Sequence, residues 1–220
     1  MSQTERALDY LNRHAASVAY DPGFLSEAEA DRFRQELSEL PEWRAGEAAR
    51  IRKPFSSEWV PIPRQQAAHG DPGTRYAFSG ITLQARPWTA VTLELRERIA
   101  TRTGRIPNFV LVNRYRDGGD CMGWHSDDER DLGSEPAVLS LSLGAERDFQ
   151  FRHKLAFPRR GRPPERPELE TVTLRLGHGS LLSMLHPTNR DWKHQLPRRG
   201  GRNPGAIGER LNLTWRFIEA

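Results

Sequence analysis

Asn108-Phe-Val-Leu-Val-Asn-Arg-Tyr115 is the stretch at which this 220-residue chain changes its hydrophobic period. Before it, apolar residues recur three and four apart. Within it they alternate, so that Phe109, Leu111, Asn113 and Tyr115 share one face of a strand. Strand-like segments return at residues 137–143, 148–152, 171–176, 180–184 and 210–218, some divided by glycine turns such as Asp117-Gly-Gly-Asp120 and Gly177-His-Gly179. Two helices come earlier. Ser26 and Glu29 form a capping-box pair with Leu25 as a staple; Ala30, Phe33, Leu37 and Leu40 hold helical spacing until Pro41. A second run follows Pro87-Trp88, with Val91, Leu95 and Ile99 four apart and Pro107 beyond. Helices early and many short strands late predict a mainly β protein with flanking helices (α+β), its core of jelly-roll type.

Composition narrows the function. Hydrophobic residues make up 36% and charged residues 28%, as in a soluble domain with long polar loops. The single cysteine, Cys121, excludes an internal disulfide and any multi-cysteine metal site. Residues 1–16 are charged and lack the apolar run of a signal peptide, and no stretch approaches the roughly 20 apolar residues of a membrane span. A cytoplasmic protein in a bacterium, or a nuclear one in a eukaryote, is expected, without a membrane partner and as a monomer. The net charge of +4 is mildly basic. Its distribution says more: Arg159, Arg160 and Arg162 share one proline-rich loop, and Arg198, Arg199 and Arg202 share a glycine-rich one.

Residues 210–216, Arg-Leu-Asn-Leu-Thr-Trp-Arg, carry the sharpest chemical signal. The odd residues Leu211, Leu213 and Trp215 suit a core. The even residues Arg210, Asn212, Thr214 and Arg216 form a face of cations and neutral donors. A solvent-facing strand tends to mix charge signs; this one suits a dianion, because arginine pairs with carboxylate through two parallel hydrogen bonds. His125-Ser-Asp127 places an imidazole and a carboxylate on the same side of an extended segment. With His194 added, the set is the two-histidine, one-carboxylate face of non-haem iron(II) sites. The spacing alone is weak, since His69-Gly-Asp71 repeats it. His14, His153, His178 and His186 compete with His194 for the third position.

Asn113-Arg-Tyr115, Trp124-His-Ser-Asp-Asp-Glu129, Ser140-Leu-Ser-Leu-Gly-Ala145, His186-Pro-Thr, Trp192-Lys-His194 and the 210–216 strand together resemble the AlkB family of nucleic-acid dioxygenases. Pro63-Arg-Gln-Gln66, Tyr76-Ala-Phe-Ser-Gly80 and residues 148–154 resemble the members that act on duplex DNA. The match runs in order from about residue 60 to 218.

That resemblance implies a double-stranded β-helix core at residues 107–220, a nucleotide-recognition lid with a supporting helix at 51–106, and an N-terminal helical extension at 1–50, all in one structural domain. It implies His125, Asp127 and His194 as ligands of Fe(II), with 2-oxoglutarate and O2 as co-substrates. Arg210, with Tyr115 and Asn212, would hold the distal carboxylate of 2-oxoglutarate. Arg216 and Asn113 would hold the chelating end, with Thr214 lining the site. Tyr76 and Phe78 would contact a flipped base, Asp128 or Glu129 would add a polar contact, and Phe55 would fill the gap in the duplex.

The expected activity is oxidative demethylation of alkylated DNA, duplex favoured and single strand possible, releasing formaldehyde and succinate as direct-reversal repair. An oxygenase of RNA, protein or a small molecule, or a nucleic-acid-binding module without catalysis, are the alternatives.

Overall fold

The computed structural model describes residues 1–44, 50–52, 57–159 and 161–219. In chain order its elements are α1 (Gln3–Arg13), β1 (Ser17–Asp21), α2 (Glu27–Ser38), β2 (Arg50–Arg52), β3 (Trp59–Pro61), β4 (Gln65–Gly70), β5 (Arg75–Phe78), β6 (Ile81–Gln84) and α3 (Ala90–Thr103). Then follow β7 (Phe109–Tyr115), β8 (Met122–His125), β9 (Val138–Gly144), β10 (Arg147–His153), β11 (Val172–Leu176), β12 (Ser180–Leu185), α4 (Thr188–Asp191), β13 (Trp192–Leu196) and β14 (Arg210–Arg216).

Two sheets organise the chain. The larger runs β1-β12-β9-β14-β7-β4, and the smaller runs β11-β10-β13-β8. Every pairing in both is antiparallel. The protein is mainly β, with the jelly-roll core expected from the change of period at Asn108.

The strand β14 lies in the middle of the larger sheet, between β9 and β7, and all seven of its residues are buried. Its odd face meets the helices: Leu211, Leu213 and Trp215 join Phe33 and Leu37 of α2 and Leu95 and Ile99 of α3 in one apolar cluster. Those helices begin where the capping signals place them. Ser26 Oγ accepts from the Glu29 amide while the Glu29 carboxylate accepts from the Ser26 amide at 3.0 Å. Arg98 of α3 then donates to Glu29 at 2.8 Å and ties the two helices together. A second cluster fills the space between the sheets, where Tyr115, Val138 and Met184 meet Phe149, Phe151 and Leu174. The even face of β14 points into this gap.

Two edges of the larger sheet come from before residue 107. The strand β1 pairs with β12 (Val18 opposite Met184), and β4 pairs with β7 (Gln66 opposite Asn113). The segments expected as an extension and a lid therefore each contribute a strand to the sheet that holds the site. Ahead of β1, α1 is capped by its own Ser2–Glu5 box and buries only Ala7 and Leu11, too few apolar positions to stand out in the sequence. The β5–β6 hairpin stands apart from both sheets. Its turn residues Ser79 and Gly80 both have positive φ, 48° and 80°, as a two-residue hairpin turn requires. Among the described residues no helix is long and apolar enough to cross a membrane.

Because β14 is packed on one face and carries polar chemistry on the other, its apolar residues set the position of the site. Truncating Leu213, which is fully buried, to alanine should lower unfolding free energy by about 2–5 kcal/mol, the range for a core leucine. Urea denaturation of the variant checks this.

Candidate active site

The strands β8 and β13 run side by side with His125 directly opposite His194. Cross-strand neighbours on one face sit about 4.5–5.5 Å apart at Cβ, close enough for two imidazoles to meet. Their ring centroids lie 4.2 Å apart, edge to face. Asp127 follows two residues after His125, past the end of β8. Its backbone N–H donates to Asn189 Oδ1 at 3.3 Å, which ties this segment to α4. One ligand atom from each of His125, Asp127 and His194 falls within 4.8 Å of the others, so the three could hold a single metal ion.

The electrostatics suit that role, because each group is held in its ligating form. Burial, then the neighbouring His125, pushes the His194 imidazole down to about 3, and burial likewise lowers His125, so both rings stay neutral. Burial alone would raise the Asp127 carboxyl; the Arg216 guanidinium outweighs it and holds the group ionised. Arg216 Nη2 donates to Asp127 Oδ1 at 2.8 Å. Phe149 stacks on the His194 ring with ring centroids 5.1 Å apart.

Beside the triad, the even face of β14 meets residues of β7, β9 and the smaller sheet in a cleft of about 400 Å³ measured to its open mouth. Asn113, Tyr115, Arg210, Asn212, Thr214 and Arg216 all line it. Arg210 donates through Nη2 to Ser142 Oγ at 2.9 Å, and its guanidinium lies 5.3 Å from the centroid of the Tyr115 ring. Burial brings its pKa down to about 10, which leaves it a cation at neutral pH. Asn212 Nδ2 donates to Ser140 Oγ at 2.8 Å and to the Leu141 carbonyl at 2.9 Å. Arg210 Nε and Nη1, Arg216 Nε and Asn113 Nδ2 are buried donors without a protein partner. Buried donors call for acceptors. Unpaired donors converging beside a metal-type triad fit a small diacid.

The second His-x-Asp pair resolves differently. His69 Nδ1 lies 2.9 Å from the Pro87 carbonyl and Nε2 lies 3.7 Å from Glu42. Asp71 accepts from Trp88 Nε1 at 2.7 Å and from Arg96 at 3.3 Å. That pair fastens β4 to the start of α3. Three of the rival histidines also have local tasks. His14 contacts the Tyr10 carbonyl at the end of α1, His153 accepts from the Leu155 amide, and His178 accepts from the Gly144 amide. Neither these nor His186 joins the triad among the described residues.

The expected base contacts are brought together only in part. Tyr76 is buried, donates its hydroxyl to Glu129 Oε2 at 2.9 Å, packs 5.3 Å from Phe78 and lies under the Arg216 guanidinium at 4.5 Å. Burial, then the Asp127 charge, raises the Glu129 carboxyl to about 6. Asp128 is exposed and pairs with Lys154 at 2.9 Å, away from that group. Phe55 and Arg160 lie outside the described residues. In the two arginine loops, Arg159 pairs with Glu165 and Arg199 with Asp148.

Sequence reasoning gave no role to Phe149, Asn189 or Arg147. Arg147 is buried and donates to the carbonyls of Asp117, Asp120 and Pro197, joining the loop after β7 to the one after β13. No local pattern marks these residues, because each acts across long sequence separations.

The depressed His194 gives a stability signature. An unfolded imidazole titrates near 6.5 and this one near 3, so the unfolded state takes up the proton first as pH falls. Metal-free protein should lose on the order of 2 kcal/mol between pH 7 and 5 from this group, opposed by Glu129, whose raised pKa acts in the other direction. Chemical denaturation at the two pH values should show a shallower loss for His194→Asn than for wild type.

The comparisons agree with this geometry. Residues 17–216 match the 2OG-Fe(II) oxygenase superfamily. The chain is 47% identical over 191 residues to the bovine (Bos taurus) DNA oxidative demethylase ALKBH2, covering 87% of this chain and 65% of that protein. It is 43% identical to the human (Homo sapiens) ALKBH2, covering 94% and 76%, and 45% identical to the mouse (Mus musculus) ALKBH2, covering 96% and 84%. The chain thus spans from just under two thirds to most of the length of these relatives. A solved structure, "The structure of OsALKBH1", shares the fold with a TM-score of 0.52 at 19% identity, over 90% of this chain and 97% of that one. The chain belongs to the AlkB family of the 2OG-Fe(II) oxygenase superfamily.

Proposed function

We propose that this protein is an iron(II)- and 2-oxoglutarate-dependent dioxygenase that oxidatively demethylates N-alkylated bases in DNA, with the duplex as its preferred substrate. The observation that carries the reading is the triad of partly buried His125 and buried Asp127 and His194 beside a cleft lined by two arginines with unpaired donors. The DNA substrate follows from the relatives named DNA oxidative demethylase.

In this reading His125, Asp127 and His194 hold iron(II). Arg210, with Tyr115 and Asn212, receives the distal carboxylate of 2-oxoglutarate, and Arg216 and Asn113 receive the end nearer the metal, with Thr214 on the wall. Bound iron, keto acid and O2 supply the oxidation that turns an N-methyl group into formaldehyde and the keto acid into succinate and carbon dioxide. The protein's own part is positioning. Arg216 keeps Asp127 ionised, and Phe149 fixes the His194 ring.

A methyl group on the pairing edge reaches such a site only if its base leaves the stack, at a cost of a few kcal/mol. Stacking on an aromatic side chain contributes about 1–3 kcal/mol per base. Phe78, half-buried beside Tyr76, would supply it, and Phe55 is the candidate to fill the vacated step. Glu129 would attract a base that ring methylation has made cationic. The loops at 159–162 and 198–202 would contact phosphates, so binding should weaken with salt.

The deciding experiment supplies iron(II), 2-oxoglutarate and matched oligonucleotides bearing 1-methyladenine as duplex DNA, single-stranded DNA and RNA, and follows their mass. Loss of the methyl group fastest from the duplex is expected; keto-acid consumption with every methyl retained would point to another substrate class. Chelation should abolish turnover and added iron(II) restore it, whereas His125→Ala should remain at least about a hundredfold slower in excess iron, given that even a partner of a metal ligand is worth 10–100-fold. The raised Glu129 carboxyl predicts a pH effect as well. As pH falls through about 6 the group becomes neutral and its attraction for a cationic base is lost, so KM for the oligonucleotide should rise. In Glu129→Gln that rise should be absent.

A further inference from the structure

One cation near the site has no role in the reading above. Arg64, at the entry to β4, is buried, and among the described residues no carboxylate forms a salt bridge with it. Its Nε donates to Asn113 Oδ1 at 2.8 Å, and its Nη1 donates to the Cys121 carbonyl at 3.3 Å. Gln66, paired with Asn113 in the β4–β7 register, donates from Nε2 to the same Asn113 oxygen at 2.9 Å.

The chemistry of the donors fixes the amide. A guanidinium has five N–H groups and no acceptor, so the Asn113 atom facing it must be the oxygen. Two donors then use both lone pairs of that oxygen. The Nδ2 group is left on the other side, fully buried, without a protein partner, in a side chain that lines the cleft. A reversed amide would set its carbonyl dipole against an anion and leave Arg64 facing an N–H group. A buried cation without a carboxylate is costly in isolation. Here it also adds positive potential beside Arg216, which favours a dianion.

We infer that Arg64, assisted by Gln66, is a positioning residue that locks the Asn113 amide with its N–H₂ group directed at 2-oxoglutarate. The inference rests on the assignment of this cleft to the keto acid. It extends the site by two residues that touch neither metal nor co-substrate, and places part of co-substrate affinity in the strand that joins the lid segment to the core.

The test is calorimetric binding of 2-oxoglutarate to the full chain loaded with manganese(II), which occupies iron-type sites without turnover. Wild type must bind; if it does not, the assignment of the cleft fails rather than the role of Arg64. Given binding, Arg64→Met should weaken affinity about tenfold or more, the scale of a hydrogen bond to a charged group. Arg64→Lys, which keeps a donor, should recover most of the loss. In an Asn113→Leu background Arg64→Met should cost less than about twofold more, because the amide it orients is gone. In turnover, KM for 2-oxoglutarate should rise in Arg64→Met while kcat stays within about twofold, and the melting temperature of Arg64→Lys should match wild type. Wild-type affinity in Arg64→Met, losses that multiply in the double variant, or a fall in kcat at unchanged KM would overturn the inference. Should Arg64→Met not fold, Gln66→Met, which keeps Arg64, decides: affinity about threefold weaker supports the role and unchanged affinity refutes it.

Discussion

The buried ion pair between Arg216 and Asp127 is the constraint around which the site is built. Arg216 closes β14 in the larger sheet, and Asp127 follows β8 in the smaller one, so the 2.8 Å contact bridges the two layers at the cleft. Removing one partner of such a pair costs about 3–5 kcal/mol because the other charge stays buried and alone. The same contact couples two tasks. A carboxylate that must stay ionised to bind a cation is held so by a guanidinium whose remaining Nε is unpaired and free to receive an anion. The ring of Tyr76 beneath the guanidinium and its hydroxyl on Glu129 extend the chain of contacts to β5 and to the segment after β8.

This arrangement needs a strand with two distinct faces in the middle of a sheet. The alternation of 210–216 supplies it: leucines and tryptophan against the helices, arginines and amides toward the gap. The neighbours in register carry matching polarity. Asn212 stands opposite Asn113 on one side and Ser142 on the other, so one polar rung crosses the sheet where the cleft opens. A sheet that buries both faces pays for polar residues on one of them unless they are paired, and Ser140, Ser142 and Gln66 pair them here.

Much of this was legible in the sequence because the determinants are local. Period two marked β7, β9 and β14, and the Ser26–Glu29 box with Phe33 and Leu37 marked α2. That the even face of β14 suits a dianion could be argued from residue types alone. The third member of the triad could not. His194 meets His125 through the pairing of β13 with β8, a contact between residues 69 positions apart, and only the resemblance singled it out. The strand β4, Gln-Gln-Ala-Ala-His-Gly, lacks β-branched residues and was silent, although it carries Gln66. The duplicate motif His69-Gly-Asp71 shows why spacing alone misleads: identical spacing serves fastening to a helix in one case and a metal-type cluster in the other.

The first strand has a consequence of its own. Ser17 is held by Thr188, whose hydroxyl accepts from its amide at 2.8 Å and donates to its carbonyl at 3.1 Å, and Val18 sits against Met184. The segment before it reaches the same region, since Trp192 Nε1 donates to the His14 carbonyl at 3.3 Å. The opening twenty residues thus serve as a selvedge for the larger sheet. Trimmed away, they would bare the backbone of β12 as a sticky hem, inviting other chains to stitch on by strand addition. Solubility of a shortened protein would then suffer before its chemistry did.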